Sequence, residues 1–190
     1  MVFEEKTITS RKLYEGTVFN LRQDKVEVLH GTSYRDIIEH NGGSVICPVT
    51  DDNKIVMVKQ YRKAAEDFLL EIPAGKIDPG EDPYLTAVRE LKEETGYTAE
   101  KITKLTEMLP TPGYSEEVLY IYLAEGLAPG ETNFDENEAI DIYHVPIEEA
   151  YEMVMNGEIQ DGKSQVGILM TCNILFGKFG ANLKENLKEK

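Results

Sequence analysis

Residues 75–97 read Gly75-Lys-Ile-Asp-Pro-Gly80-Glu81-Asp82-Pro83-Tyr-Leu85-Thr-Ala-Val88-Arg89-Glu90-Leu91-Lys-Glu93-Glu94-Thr-Gly96-Tyr97, a loop, a helix and a stop. Asp82 has the side chain of an N-cap, Pro83 suits the first helical turn, and Gly96 suits the position just past the end. At 100° per residue Glu90 and Glu94 fall about 40° apart on adjacent turns, and Glu93 lies about 60° to the other side of Glu90. Leu85 and Val88 point roughly opposite, so the pattern predicts one apolar face and one face of three carboxylates. Like charges at this spacing weaken a helix by about 0.2–0.5 kcal/mol per pair. Such a cluster is therefore either a solvated acidic surface or a cation site. Arg89, four residues before Glu93, can pair with it, and Glu81 stands just ahead of the helix. Gly75 and Gly80 bracket the preceding loop and let backbone come close to the carboxylates. Hard oxygen donors of this kind suit Mg²⁺ or Mn²⁺.

Outward from the helix, the chain alternates. Three short strands are expected within residues 1–40, with a turn at His30-Gly31. SVICPVT and KIVMVKQYR, joined by Asp51-Asp52-Asn53, read as a hairpin. FLLEIPAG is a further strand, ITKLTEML and VLYIYLAEG follow the helix, and AIDIYHV closes the strand set after a long polar loop. PIEEAYEMVMNG and SQVGILMTCNILFGKF read as two more helices, and KENLKEK as a frayed tail. Hairpin strands with helices between and after them predict an α+β fold, a mixed β-sheet flanked by helices, with a small N-terminal antiparallel strand region (1–40) and a main domain (41–190).

Composition narrows the function. A chain of 190 residues, 41% apolar, can build one full core. No apolar run reaches the length of a membrane span, and the opening MVFEEKTITSRK lacks a signal-peptide core. Cys47 and Cys172 each sit in apolar runs and read as buried thiols in a reducing cytoplasm. The formal net charge of −15 disfavours nucleic acid. It does not exclude a phosphate-bearing small molecule where acidic groups hold divalent cations that reverse the local sign. His30, His40 and His144 lack metal-ligand spacing.

The stretch from Gly75 to Tyr97 resembles the Nudix box: Gly75, Glu81, Arg89, Glu90, Leu91, Glu93, Glu94 and Gly96 fill its required places. Tyr97 departs mildly from the usual aliphatic residue. The resemblance implies an α/β/α sandwich and a metal-dependent pyrophosphohydrolase using Mg²⁺, with Mn²⁺ as substitute, two to three ions per site. It implies metal ligation by Glu90 and Glu94, with Glu93 alongside and the carbonyl of Ala74 joining them. Arg89 would orient a box glutamate.

Outside the box, Gln60-Tyr61-Arg62 with FLLEIPAG, Pro112 sixteen residues after Gly96, and Asp135-Glu136-Asn137-Glu138 resemble the ADP-ribose pyrophosphatase branch. That implies substrate contacts from Arg35, Arg62, Glu71 and Pro112. It also implies a catalytic carboxylate at Glu136 or, second, Glu138. Each has an ordinary alternative: a surface arginine, a strand end on the solvent face, a turn-shaping proline, a solvated acidic loop, a cross-strand ion pair for Arg35. The expected reaction cuts ADP-ribose to AMP and ribose 5-phosphate. The alternatives are another nucleotide substrate, or a non-catalytic ligand sensor. The branch further implies a homodimer built on the N-terminal strands.

Overall fold

The computed structural model describes residues 2–134 and 139–177. Ten strands and three helices follow one another: β1 (Thr7–Glu15), β2 (Asn20–Val28), β3 (Gly31–Glu39), β4 (Gly43–Pro48), β5 (Lys54–Arg62), β6 (Asp67–Glu71), β7 (Ala74–Lys76), α1 (Pro83–Thr95), β8 (Thr98–Met108), β9 (Leu119–Ala128), β10 (Asp141–Pro146), α2 (Ile147–Met155) and α3 (Gly162–Phe176). They form an antiparallel β1-β2-β3 sheet, a β10-β5-β6 sheet and a mixed β7-β4-β9-β8 sheet.

β4 is the centre of the main body (residues 41–177), and its burial on both faces explains the layering. It runs parallel to β9 and antiparallel to β7. Alternate side chains point to opposite faces of a strand. Val45 and Cys47 join the cluster with Ile121, Leu123, Ile168 and Cys172 on the α3 side. Ile46 packs with Ala87, Leu91 and Tyr122 on the α1 side. The Ser44 hydroxyl donates to the Pro83 carbonyl at 2.6 Å, tying the start of α1 to the same strand. Helix on sheet on helix, an α+β arrangement, is the result.

Two expectations are overturned. The segments read as one hairpin, β4 and β5, lie in different sheets; among the described residues their strand pairing is limited to the isolated bridge Val49–Ile55. The intervening turn is real, but β4 gains more by inserting between β7 and β9, where all six of its residues are buried. The apolar face of α1 is also not Leu85 and Val88, which are exposed. The buried stripe is Ala87 and Leu91, flanked by Thr86, Glu90, Glu94 and Thr95. The box carboxylates thus sit at the edge of the packed face rather than opposite it. The caps are as read: the Asp82 carboxylate accepts from Tyr84 N at 2.8 Å, and Gly96 is left-handed at φ 75°.

β1 is exposed along its whole length, and Ile8, Leu13, Val18, Phe19 and Tyr34 of the N-terminal sheet region are large exposed apolar residues. Val26 of β2 is buried within the one chain, while Leu13, Val18 and Phe19 are not. The sheet joins the body at the end of β3. There Ile38 N donates to the Tyr114 carbonyl (2.7 Å), and Glu116 N donates to the Ile38 carbonyl (3.0 Å). Arg22 braces the joint, bonding Asp24 (3.1 Å), Glu39 (3.0 Å) and Glu116 (2.7 Å). No helix among the described residues is long and apolar enough to cross a membrane. Both cysteines are buried and free, and burial pushes the Cys47 thiol up to about 12 and that of Cys172 to about 11.

Candidate active site

The site forms where β7 crosses the buried edge of α1. Its backbone is positioned by β4 pairing, Val45 with Ala74 and Ser44 with Gly75. Ala74 N donates to Glu94 Oε2 at 3.1 Å, so the residue expected to lend a carbonyl stands beside an expected ligand. Gly75 lies against the other one. A Cβ placed there would come within 1.8 Å of Glu90 Oε1, so only glycine leaves room for that carboxylate. Glu90 and Glu94 are both buried, at 9% and 3% exposure.

Arg89 gathers the rest. Its Nη1 donates to Glu90 Oε1 at 2.6 Å and to Glu93 Oε2 at 3.0 Å, and its Nε to Glu81 Oε1 at 3.2 Å. The expected Arg89–Glu93 pair is therefore present, within a wider fork. Hydrogen bonds from Arg89 draw the Glu81 carboxyl down to about 2, and the same contacts push the guanidinium upward. Among the described residues no three acidic or imidazole groups close on one point, because Nη1 of Arg89 stands between Glu90 and Glu93. Three carboxylates on one guanidinium still leave an excess of negative charge before Glu94 is added. The donor set is all oxygen, its cradle admits no Cβ, and both features fit a hard divalent cation.

Two cavities meet here. One, of about 520 Å³, is lined by Glu90, Glu93, Glu94, Arg89, Asp78 and Asn133. The other, of about 610 Å³, runs from His40 and Glu117 past Met108 and Pro110 to Asp161, Lys163 and Gln165. Ala74, Gly75 and Lys76 line both and form the shared wall.

Arg62 and Glu71 are brought together. Arg62 holds Glu71 through two bonds, Nε to Oε1 at 2.8 Å and Nη2 to Oε2 at 2.7 Å. Glu71 does not end its strand on the solvent face, since it is 1% exposed. Burial pushes its carboxyl up, but Arg62 and Lys163 outweigh burial and hold it below the usual range. Pro112 sits in a turn closed by Tyr114 N and Ser115 N on the Thr111 carbonyl, at 3.2 and 3.0 Å. Arg35 is not brought to either cavity within one chain; it pairs with Glu5 at 2.5 Å in the N-terminal sheet. Glu136 and Glu138 lie outside the described residues. The start of their loop is fixed to the box helix, with Asn133 N donating to the Glu93 carbonyl at 3.0 Å.

The sequence reading missed Lys163, Asp161 and Asn133. Lys163 Nζ bonds Glu71 (2.5 Å) and Asp161 (2.9 Å), and Asp161 also caps α3 by accepting from Ser164 N at 3.0 Å. An N-cap aspartate ahead of Gly162-Lys163-Ser164 was the available signal, and starting the helix at Ser164 left it unused.

The Nudix domain profile matches residues 40–164, which span the box, the smaller cavity, most of the larger one and the start of α3. The chain belongs to the Nudix family. This Nudix protein is 43% identical over 168 residues to the ADP-ribose pyrophosphatase of Bacillus subtilis (strain 168), covering 87% of this chain and 91% of that one. It is 41% identical over 170 residues to the methanol dehydrogenase activator of Bacillus methanolicus, covering 88% and 92%. Its fold is similar to a crystal structure of an ADP compounds hydrolase, with a TM-score of 0.82 at 22% identity over 94% of this chain and 98% of the other.

Proposed function

We propose that this Nudix protein hydrolyses the diphosphate linkage of ADP-ribose, releasing AMP and ribose 5-phosphate. The carrying observation is the shared wall Ala74–Lys76. A diphosphate laid along it meets the Glu90/Glu94 edge on one side, while one end of the molecule has a 610 Å³ cavity on the other. The likeness to an ADP-ribose pyrophosphatase over nine-tenths of that relative's length supports the choice of substrate.

In this reading Glu90 and Glu94, with Glu93 and the Ala74 carbonyl, hold two to three Mg²⁺ ions, for which Mn²⁺ can substitute. Bound there, the cations neutralise the diphosphate and make a water more acidic. Arg89 keeps Glu90 and Glu93 in place. Arg62, whose Nε and Nη2 are held by Glu71, offers its remaining Nη1 donors to phosphate. Pro112 shapes the loop over the larger cavity. Glu136, with Glu138 as the alternative, takes the proton from the attacking water as one P–O bond of the bridge breaks. Residues 1–40 form the dimerisation region and bring Arg35 toward the partner's site, in a homodimer of the reducing cytoplasm. The exposed apolar residues of that sheet support an assembly that covers them.

A panel of nucleoside diphosphate derivatives and nucleoside triphosphates incubated with Mg²⁺, with products resolved by chromatography, tests the proposal. ADP-ribose is expected to be cut fastest, with equal AMP and ribose 5-phosphate, and Glu94→Gln to remove most of that activity. Faster hydrolysis of a triphosphate or of a guanosine diphosphate sugar would overturn the substrate assignment.

A further inference from the structure

Lys163 has a place in the molecule that the reaction as described does not use. It lies on the first turn of α3, its side chain is 14% exposed, and it lines the larger cavity one wall away from the box carboxylates. An ammonium carries three N–H donors. Glu71 and Asp161 take two of them, at 2.5 and 2.9 Å. Glu71 already has a bidentate partner in Arg62, so a second cation is not required to neutralise it.

We propose that Lys163, with Asp161 beside it, binds the terminal ribose of the substrate in the larger cavity; this rests on the ADP-ribose reading above. The chemistry of the wall separates the two ends of such a substrate. A sugar's neighbouring hydroxyls each donate and accept, and an ammonium beside a carboxylate offers both functions at one point. Gln165 adds an amide on the same helix. A purine would call for a flat aromatic surface to stack on. Among the described residues that line this cavity there is no Phe, Tyr or Trp; its flat ring is the small imidazole of His40, already tied to Gly42 N at 3.0 Å, and the aliphatic part of the wall comes from Met108, Leu109, Leu119 and Val166. The diphosphate over Ala74 and Gly75 then places the ribose at Lys163 and sends the nucleoside away from it.

Product inhibition distinguishes the ends, because each product keeps one of them. Inhibition of ADP-ribose hydrolysis by ribose 5-phosphate and by AMP is measured for the intact protein and for Lys163→Met, each with its thermal melt. Loss of a hydrogen bond from a charged donor weakens binding about tenfold or more. The expected result is a loss of that size for ribose 5-phosphate with AMP inhibition unchanged within about twofold. A weakened AMP inhibition instead, or no change in either, overturns the proposal. Lys163→Arg keeps the charge beside Glu71, and with it the fold, but relocates the donor; it is expected to repeat the selective loss should the methionine variant fail to melt cooperatively. If the unaltered protein does not cut ADP-ribose, the substrate reading fails by itself. Calorimetric titration with ribose 5-phosphate then still decides Lys163, because equal binding to protein and variant refutes its role.

Discussion

Gly75→Ala separates catalysis from folding in this site. The new Cβ would stand 1.8 Å from Glu90 Oε1 and 2.0 Å from its Cδ, where ordinary contact begins at 3.4 Å, so the carboxylate must retreat by about 1.6 Å. That retreat breaks the 2.6 Å bond from Arg89 and moves an expected metal ligand off its position. A 1 Å misplacement costs about 100-fold in rate, so kcat is expected to fall by at least about two orders of magnitude. Stability should change little. Alanine removes about 0.4–1 kcal/mol of backbone freedom from the unfolded chain, which offsets part of the roughly 1.5–3 kcal/mol carried by the charged hydrogen bond. A net cost of about 1–2 kcal/mol lowers Tm by a few degrees in a chain of this size. The assay is Mg²⁺-dependent AMP release from ADP-ribose, with the Mg²⁺ activation curve and the melt recorded on the same preparation. A variant that keeps more than half of the original rate would refute Glu90 as a ligand at this position, and loss of a cooperative melt would refute the packing argument.

Three further outcomes are expected. Glu136→Gln lowers kcat far more than it weakens metal-dependent substrate binding, because a base acts mainly in the transition state; a slow Glu138→Gln and a normal Glu136→Gln would swap the two roles. The intact protein sediments as a dimer at micromolar concentration, and removal of residues 1–36 gives a monomer that has lost most ADP-ribose hydrolysis; a fully active monomer of the intact chain refutes the assembly. The lowered pKa of Glu71 means that its folded form binds its proton less readily than the unfolded one. Its contribution is therefore present above the ordinary carboxylate value of about 4.5 and lost as pH falls below it, so Glu71→Gln should destabilise at pH 7 and unfold with a flatter acid limb, and an unchanged limb in thermal melts would show that Arg62 and Lys163 do not hold it.

The parts legible in the sequence were those set by neighbours along the chain. Asp82, Pro83 and Gly96 delimit α1 because caps are local hydrogen-bonding and backbone requirements. The turn at His30-Gly31 holds for the same reason, with Gly31 at φ 98°. The parts that failed depend on distant partners. The apolar runs of β4 and β5 mark both as strands but cannot say that β9, some 75 residues on, is preferred to β5 as a neighbour of β4. The phase of α1 was misjudged because Leu85 and Val88 are its more apolar residues, while the small Ala87 is what lets the helix approach Ile46. At the site, the box gave Glu90, Glu93, Glu94 and Arg89 because their spacing is itself the signal. Lys163 acts on Glu71 across 92 residues, and no local pattern encodes that pairing.

The joint between the N-terminal sheet and the body bears on what any deletion can prove. Glu116, Tyr114 and Ser115 belong to the loop between β8 and β9, and its two ends, at Pro110 and Glu117, line the larger cavity. Ile38 and Arg22 hold that loop from the same chain, through backbone bonds of 2.7 and 3.0 Å and an ion pair of 2.7 Å. The side-chain hydrogen bonds of Arg22 to Glu116 and Glu39 push its guanidinium upward. Removing residues 1–36 takes away Arg22 together with the exposed apolar strands, and the cavity loses an anchor even if no residue crosses from a partner. Lost activity in the truncated chain therefore follows equally from a loosened loop and from an unshared active site. Only the oligomeric state of the intact protein separates them, because the brace acts within one chain and is indifferent to concentration, whereas a contribution from Arg35 of a second copy must disappear on dilution to the monomer.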